Sequence, residues 1–114
     1  MNDDRQFPHQ RLDAYIATRA MALAVFRAKI RDSDLRDQAQ RAARSVFLQL
    51  SEGLPSDRPA MRKAYFERAR DSLFELVSVI DLAQLVGAMD IAHQREVHDL
   101  ALRVRAMLVA LLRR

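Results

Sequence analysis

The sequence predicts an all-α protein, an antiparallel up-down-up-down four-helix bundle formed by a single domain over residues 1–114. Apolar residues recur at steps of three and four through four long segments, and no segment alternates with a period of two. The chain has only two glycines and three prolines, and none falls inside one of these segments. Three short breaks separate the segments, so successive helices are expected to lie side by side.

The first two predicted helices cover residues 10–31 and 34–52. Apolar residues mark the period of the first helix at Leu12, Tyr15, Ile16, Leu23, Phe26 and Ile30. The second is marked by Leu35, Ala39, Ala42, Val46 and Leu50. Ser33 or Asp34 is predicted to cap the second helix, because a short polar side chain accepts a hydrogen bond from the first turn. Gly53 is predicted to end it as a left-handed C-cap.

The third and fourth predicted helices cover residues 60–86 and 91–112. The third is marked by Tyr65, Ala69, Leu73, Leu76, Ile80 and Ala83, and the fourth by Val97, Leu100, Val104, Met107, Leu108 and Leu111. Ser56 or Asp57 is predicted to cap the third helix, and Pro59 fits its first turn, where the missing N–H is harmless. Gly87 is a predicted left-handed C-cap, and Asp90 a predicted N-cap.

The composition is that of a folded protein, with 50% hydrophobic and 30% charged residues. The absence of cysteine excludes disulfides, thiolate metal sites and cysteine catalysis. The start at Met1–Asp4 lacks the basic and apolar runs of a signal peptide, and no apolar stretch is long enough to span a membrane. We therefore expect a soluble cytoplasmic protein without membrane contact.

Helices two and three carry more apolar surface than one bundle can cover. Their second apolar stripes contain Phe47 and Leu48 on helix two and Phe74, Leu82 and Leu85 on helix three. A helix that is apolar on several sides is buried on several sides or contacts a partner. The sequence therefore predicts a homo-oligomer whose interface includes these five residues.

Catalytic, cofactor and metal motifs are absent from the sequence. His93 and His98 are five residues apart and cannot share a metal on one helix face, and no Glu-x-x-His motif occurs. Phosphate-binding and dinucleotide-binding glycine motifs are also missing. We therefore predict a protein that is not an enzyme and needs no cofactor or metal.

Several polar residues flank the apolar runs of helices two and three. Because an unpaired charge beside a core is costly, we expect them to form an interhelical or intersubunit structural network. The predicted members are Arg41, Ser45, Glu52, Arg70, Ser72 and Glu75. Acid–base catalysis by Glu52 and Glu75 is the alternative, although no nucleophile or metal ligand accompanies them.

The formal net charge is +4, and nearly all basic residues are arginine, which binds phosphate well. Two patches are candidate nucleic-acid contacts, although acids interleave with both and arginine bias can also reflect coding composition. The first combines Arg36, Arg41 and Arg44 with Arg62, Lys63 and Arg70; the second contains Arg103, Arg105, Arg113 and Arg114. Repetition of this charge in a ring would sum to a positive surface that attracts RNA or DNA.

The chain resembles the 23S rRNA-intervening-sequence proteins. Residues 35–46, LRDQAQRAARSV, and the following Ser51-Glu52-Gly53 are similar to the second helix of that family. Residues 65–76, YFERARDSLFEL, are similar to its third helix, and Leu12–Tyr15 to its opening. Phe47, Gln49 and Asp71 differ from the proline, asparagine and glycine usual in the family.

The resemblance implies a left-handed four-helix bundle assembled into a pentameric ring. It also implies kinship with the nucleic-acid-binding accessory proteins of diversity-generating retroelements. The first functional hypothesis is thus an oligomeric bundle that binds RNA or DNA electrostatically. The alternative is a scaffold that binds another protein and no nucleic acid.

Overall fold

The computed structural model describes residues 5–113, and the predicted all-α class is confirmed. A short 3₁₀ helix, Pro8–Arg11, precedes four α-helices, and the described residues contain no strand. The α-helices are α1 (Asp13–Arg27), α2 (Ser33–Gly53), α3 (Pro59–Leu85) and α4 (Ile91–Leu112). Within residues 5–113, no helix is both long enough and apolar enough to cross a membrane.

The four helices surround one apolar core, and each packs against two neighbours. α1 contacts α2 and α4, and α3 contacts the same two helices. The largest fully buried side chains come from every helix and include Met21, Leu50, Phe66, Leu76 and Leu108. α1 and α3 therefore lie on opposite sides of the core.

The face that α1 turns to the core is made mainly of small residues. Its buried residues are Ala14, Ala17, Thr18, Met21 and Val25. The Thr18 hydroxyl donates a hydrogen bond to the Ala14 carbonyl at 2.7 Å, so its burial leaves no unmet polar group. Four of the residues that mark the predicted period, Leu12, Ile16, Leu23 and Phe26, are instead 45–53% exposed.

α1 is shorter than predicted and ends at Arg27 rather than near residue 31. Ala28 is extended, which lets Ile30 turn into the core, where it is almost fully buried. The Arg31 amide then donates to the Ala88 carbonyl at 2.7 Å. Burial of Ile30 and this loop-to-loop hydrogen bond replace the last helical turn.

The helix caps differ in part from the predicted ones. Asp32, rather than Ser33 or Asp34, caps α2 by accepting a hydrogen bond from the Leu35 amide at 2.9 Å. Arg58, rather than Ser56 or Asp57, is the N-cap residue of α3, and Pro59 occupies its first turn as predicted. Asp90 is the N-cap residue of α4, as predicted, but its side chain makes no capping hydrogen bond.

The two glycines serve different purposes. Gly87 has a φ of +78°, the left-handed conformation predicted for it. Gly53 has no positive φ and is the buried last residue of α2, so the prediction of a left-handed cap was wrong there. A Cβ on Gly53 would lie 2.7 Å from Cε1 of the Phe66 ring, so a hydrogen is required for α2 and α3 to pack this closely.

Candidate interaction surfaces

Two members of the predicted polar network meet between α2 and α3. The hydroxyl oxygens of Ser45 and Ser72 lie 2.6 Å apart and share a part-buried hydrogen bond. One turn further along α2, Gln49 accepts a hydrogen bond from the Arg68 guanidinium at 3.1 Å. α2 and α3 are therefore connected by a pair of neutral hydroxyls and by an amide–guanidinium hydrogen bond that was not predicted.

The charged members of that network do not pair with each other inside one protomer. Arg41, Glu52 and Glu75 are exposed and form no ion pair with another described residue. Arg70 lies 3.8 Å from Asp71, its neighbour in sequence. The predicted interhelical ion pairs are thus absent within residues 5–113, because solvent reaches these side chains; pairing between subunits remains a prediction.

The predicted oligomer-interface residues are mostly uncovered in the protomer. Phe74 is 50% and Leu85 77% exposed, and Leu48 and Leu82 are exposed to about the same extent as Phe74. Phe47 differs: its ring lies 5.4 Å from the Tyr15 ring of α1, and it is half-buried inside the protomer. Four of the five residues are therefore available to a partner.

The largest apolar surface missed by sequence reasoning lies on the outside of α1. We call it the α1 stripe; it consists of Leu12, Ile16, Arg19, Leu23 and Phe26, all of them exposed. These residues follow one another at steps of four, three, four and three, the spacing of a helix–helix packing seam. This spacing was visible in the sequence, but it could equally have described a core-facing stripe.

A second exposed stripe runs along the outside of α3 and has the opposite charge. This α3 stripe consists of Asp71, Phe74, Glu75, Leu82 and Leu85, which are also exposed. No lysine or arginine occurs between residues 71 and 94, whereas no acidic residue occurs between residues 14 and 31, which include most of the α1 stripe. The two stripes are therefore alike in apolar character, and their own charges are opposite, Arg19 on α1 and Glu75 on α3. Beside the stripes, Glu96 and Asp99 line a cleft with Leu23, and Arg105 lines a groove with Phe74.

Three of the predicted basic residues, Arg62, Lys63 and Arg113, lie at one end of the molecule, where α3 begins and α4 ends. Arg62 and Lys63 of α3 line a cleft of about 480 Å³ together with Leu111 and Leu112, which end α4. The Arg62 guanidinium lies 4.7 Å from the centre of the Phe66 ring, which holds it at the mouth of this cleft. We call this region the basic end; it contains Arg58, Arg62, Lys63 and Arg113, and Asp57 lines the same cleft.

Arg36 and Arg44 do not join that end. Arg36 lies in the first turns of α2, whereas Arg62 lies near the other end of that helix, where Gly53 meets Phe66. The separation along α2 is about 25 Å, from the rise of about 1.5 Å per residue. The first predicted basic patch is therefore split, and Arg36 lies between Asp34 and Asp37 in the sequence.

Arg105 lies between α3 and α4, where it lines a small apolar groove with Phe74, His98 and Leu102. Arg103 is exposed on α4, one turn before Met107. Residues 100–113 contain no acid, so the expectation that acids interleave with the second patch was wrong, and the charged residues in the last turns of α4 are all arginine. Two predictions concern residues outside the described ones. They are the nucleic-acid contact of Arg114 in the second patch and the absence of a signal peptide at Met1–Asp4.

Among the described residues, no group of three histidine, aspartate or glutamate side chains could hold a metal ion. A cleft of about 440 Å³ at the end of α2 is lined by Ser51, Glu52, Arg58 and Tyr65, and the buried Ser51 hydroxyl has no hydrogen-bond partner among the described atoms. Glu52 and Glu75, the predicted catalytic alternative, are both exposed on separate helices.

The family comparison agrees with the resemblance found in the sequence. A family model described as 23S rRNA-intervening sequence protein matches residues 10–110, which is nearly the whole chain. No curated protein matches the chain. On this match, the chain belongs to the 23S rRNA-intervening sequence protein family.

Proposed function

We propose that this member of the 23S rRNA-intervening sequence protein family is a non-enzymatic, homo-oligomeric bundle that binds RNA or DNA electrostatically. Its helices run antiparallel, and it works in the cytoplasm as a ring with five copies, the number that the family resemblance implies. The basic end is the observation that supports nucleic-acid binding most strongly.

The basic end has the features that phosphate binding needs. Arg62, Lys63 and Arg113 form no ion pair with a described residue, so their charges are not neutralised inside the protomer. The Arg62 guanidinium is already oriented by the Phe66 ring, which lowers the entropy lost when it binds a phosphate. Several copies in one ring would multiply this positive surface.

The contacts between elements support antiparallel helices. Ser45 and Gln49 of α2 meet Ser72 and Arg68 of α3, so residue numbers rise along one helix and fall along the other. The end of α1 lines a cleft with the start of α4, at Arg27 and Glu96. Both observations fit the up-down-up-down order predicted from the short loops.

Fluorescence anisotropy with a structured RNA and a duplex DNA tests nucleic-acid binding. We expect binding at about 50 mM salt that weakens at least tenfold by about 200 mM, because each phosphate contact releases counterions. The Arg62→Gln, Lys63→Gln and Arg113→Gln triple variant should bind at least tenfold more weakly than the unchanged protein.

The matched control removes three exposed cations from elsewhere, by Arg27→Gln, Arg36→Gln and Arg95→Gln. It has the same net charge as the first triple variant. A difference in binding between the two variants is therefore due to the position of the removed charges and not to the net charge. No binding at low salt would overturn the proposal, and equal weakening by both triple variants would overturn its location.

The alternative function is a scaffold that binds a second protein. The observation that favours it is the apolar groove between α3 and α4, where Phe74 and Leu102 are both about half exposed. Co-purification of one protein in fixed stoichiometry would favour this function, provided that the absorbance ratio of the sample is that of protein without nucleic acid. Loss of that protein from a Leu102→Glu variant would place it in the groove.

A further inference from the structure

We infer that copies of this chain associate head to tail, with the α1 stripe of one copy packed against the α3 stripe of the next. The inference rests on the proposed homo-oligomer and names the two surfaces that build it. The occupant of each stripe is thus a second copy of this chain.

The two stripes match in length, and each lies on one face of its helix. Leu12 and Phe26 are fourteen residues apart, as are Asp71 and Leu85, so each stripe is about 21 Å long along its helix. The exposed apolar residues are four, seven and three residues apart on α1 and eight and three residues apart on α3, and these spacings keep them on one side of each helix, where it can pack against another helix.

Charge decides which stripes pair. Arg19 lies in the middle of the α1 stripe and forms no ion pair with a described residue. On the α3 stripe, Glu75 is exposed and forms no ion pair with a described residue, whereas Asp71 is exposed and lies 3.8 Å from Arg70. Packing of two α1 stripes would bring Arg19 against its own copy, and packing of two α3 stripes would oppose carboxylates, so a twofold contact is disfavoured in both cases.

The position of the stripes makes the association directional. α1 and α3 lie on opposite sides of the core, because each packs against α2 and α4. A copy bound through its α1 stripe therefore keeps its own α3 stripe free for another copy. Such heterologous contacts close into a ring when the rotation between copies allows it.

Two blocked variants test the inference. Ile16→Glu places a carboxylate on the α1 stripe, where it would face the acids of the next copy, and Leu82→Glu places a carboxylate among the apolar residues of the α3 stripe, so the two altered stripes also repel each other. We expect light scattering at micromolar concentration to show an assembly larger than a dimer for the unchanged protein and a 13.1 kDa protomer for each variant.

A one-to-one mixture of the two variants is the decisive sample. Each mixed pair retains one intact α1 stripe and one intact α3 stripe, so association must stop at a dimer of twice the 13.1 kDa protomer mass. Circular dichroism should show the same helix content in all samples, since both residues are exposed. Met61→Glu, at an exposed apolar residue outside both stripes, is the control and should leave the assembly unchanged.

The outcomes separate this inference from the proposed function. A monomer for the unchanged protein overturns the homo-oligomer and the inference together. An assembly that survives either blocked variant, or a mixture of folded variants that stays monomeric, overturns the pairing of the stripes and leaves the homo-oligomer in place.

Discussion

The inner and outer faces of α3 differ in how closely they are packed. On the inner face, Phe66 is fully buried and lies so close to Gly53 that no side chain fits between them. On the outer face, Phe74 is half exposed and Leu85 mostly so. The same helix thus holds the protomer together on one side and presents apolar surface on the other. Substitutions on the two faces should have different consequences.

The largest loss of stability is expected from Phe66→Ala on the inner face. Removal of a fully buried aromatic ring leaves a cavity and should lower the free energy of unfolding by about 3–5 kcal/mol. Urea unfolding followed by circular dichroism measures the change. Phe74→Ala is the matched control, because the same side chain is removed from the same helix.

Both substitutions should be measured in the Ile16→Glu background, where association does not add to stability. We expect Phe74→Ala to lower the free energy of unfolding by less than a third as much as Phe66→Ala. Equal losses would show that the two faces are packed alike and would remove the distinction drawn here.

Gly53→Ala should have the next largest effect. The new Cβ would meet Cε1 of Phe66 at 2.7 Å, and overpacking of this kind costs about 1–3 kcal/mol. Alanine favours helix over glycine by up to about 1 kcal/mol, which offsets only part of that loss. Thermal unfolding should therefore show a lower midpoint for the variant.

The smaller side chain of Phe66→Leu should relieve the clash. We expect Gly53→Ala to destabilise the Phe66→Leu protein less than it destabilises the unchanged protein. An equal loss in both backgrounds would locate the effect elsewhere than at the Gly53–Phe66 contact.

Ser72→Ala should have a smaller effect, because it removes one part-buried hydrogen bond between α2 and α3. We expect a loss of about 0.5–1.5 kcal/mol, measured by urea unfolding. Ser45→Ala should cost a similar amount, and the double variant should lose less than the two single losses together. Full additivity would mean that the two hydroxyls do not interact.

The smallest effect on the protomer is expected from Leu85→Ser on the outer face. The side chain is mostly exposed, so the free energy of unfolding in the Ile16→Glu background should change by no more than about 0.5 kcal/mol. In the otherwise unchanged protein the same substitution should weaken self-association, seen as a lower mass in light scattering on dilution. A large loss of protomer stability would mean that Leu85 packs inside its own copy.

Much of the helix pattern could be predicted because its signals are local. The steps of three and four residues placed all four helices, and Gly87 took the left-handed conformation expected at a helix end. Asp32 was not predicted as a cap because Ser33 and Asp34 beside it are equally suitable cap residues. The Ser45–Ser72 contact needed the register of α2 against α3, which neither helix specifies alone.

The candidate surfaces were harder to predict, since they depend on which side of a helix meets its neighbours. Leu48, Phe74, Leu82 and Leu85 were expected outside and are exposed. Arg36 and Arg62 were grouped in one patch and lie near opposite ends of α2.

The sequence by itself determined that this chain is helical, where its helices lie and which family it belongs to. Periodicity, breaks and motifs are properties of residues that are close in sequence, so they can be recognised without knowledge of the fold. Only the tertiary structure decided which apolar stripe of α1 is buried. Ala14, Ala17 and Thr18 let α1 approach its neighbours closely, whereas the bulkier Ile16 and Leu23 stay outside. That choice depends on the shapes of all four helices together.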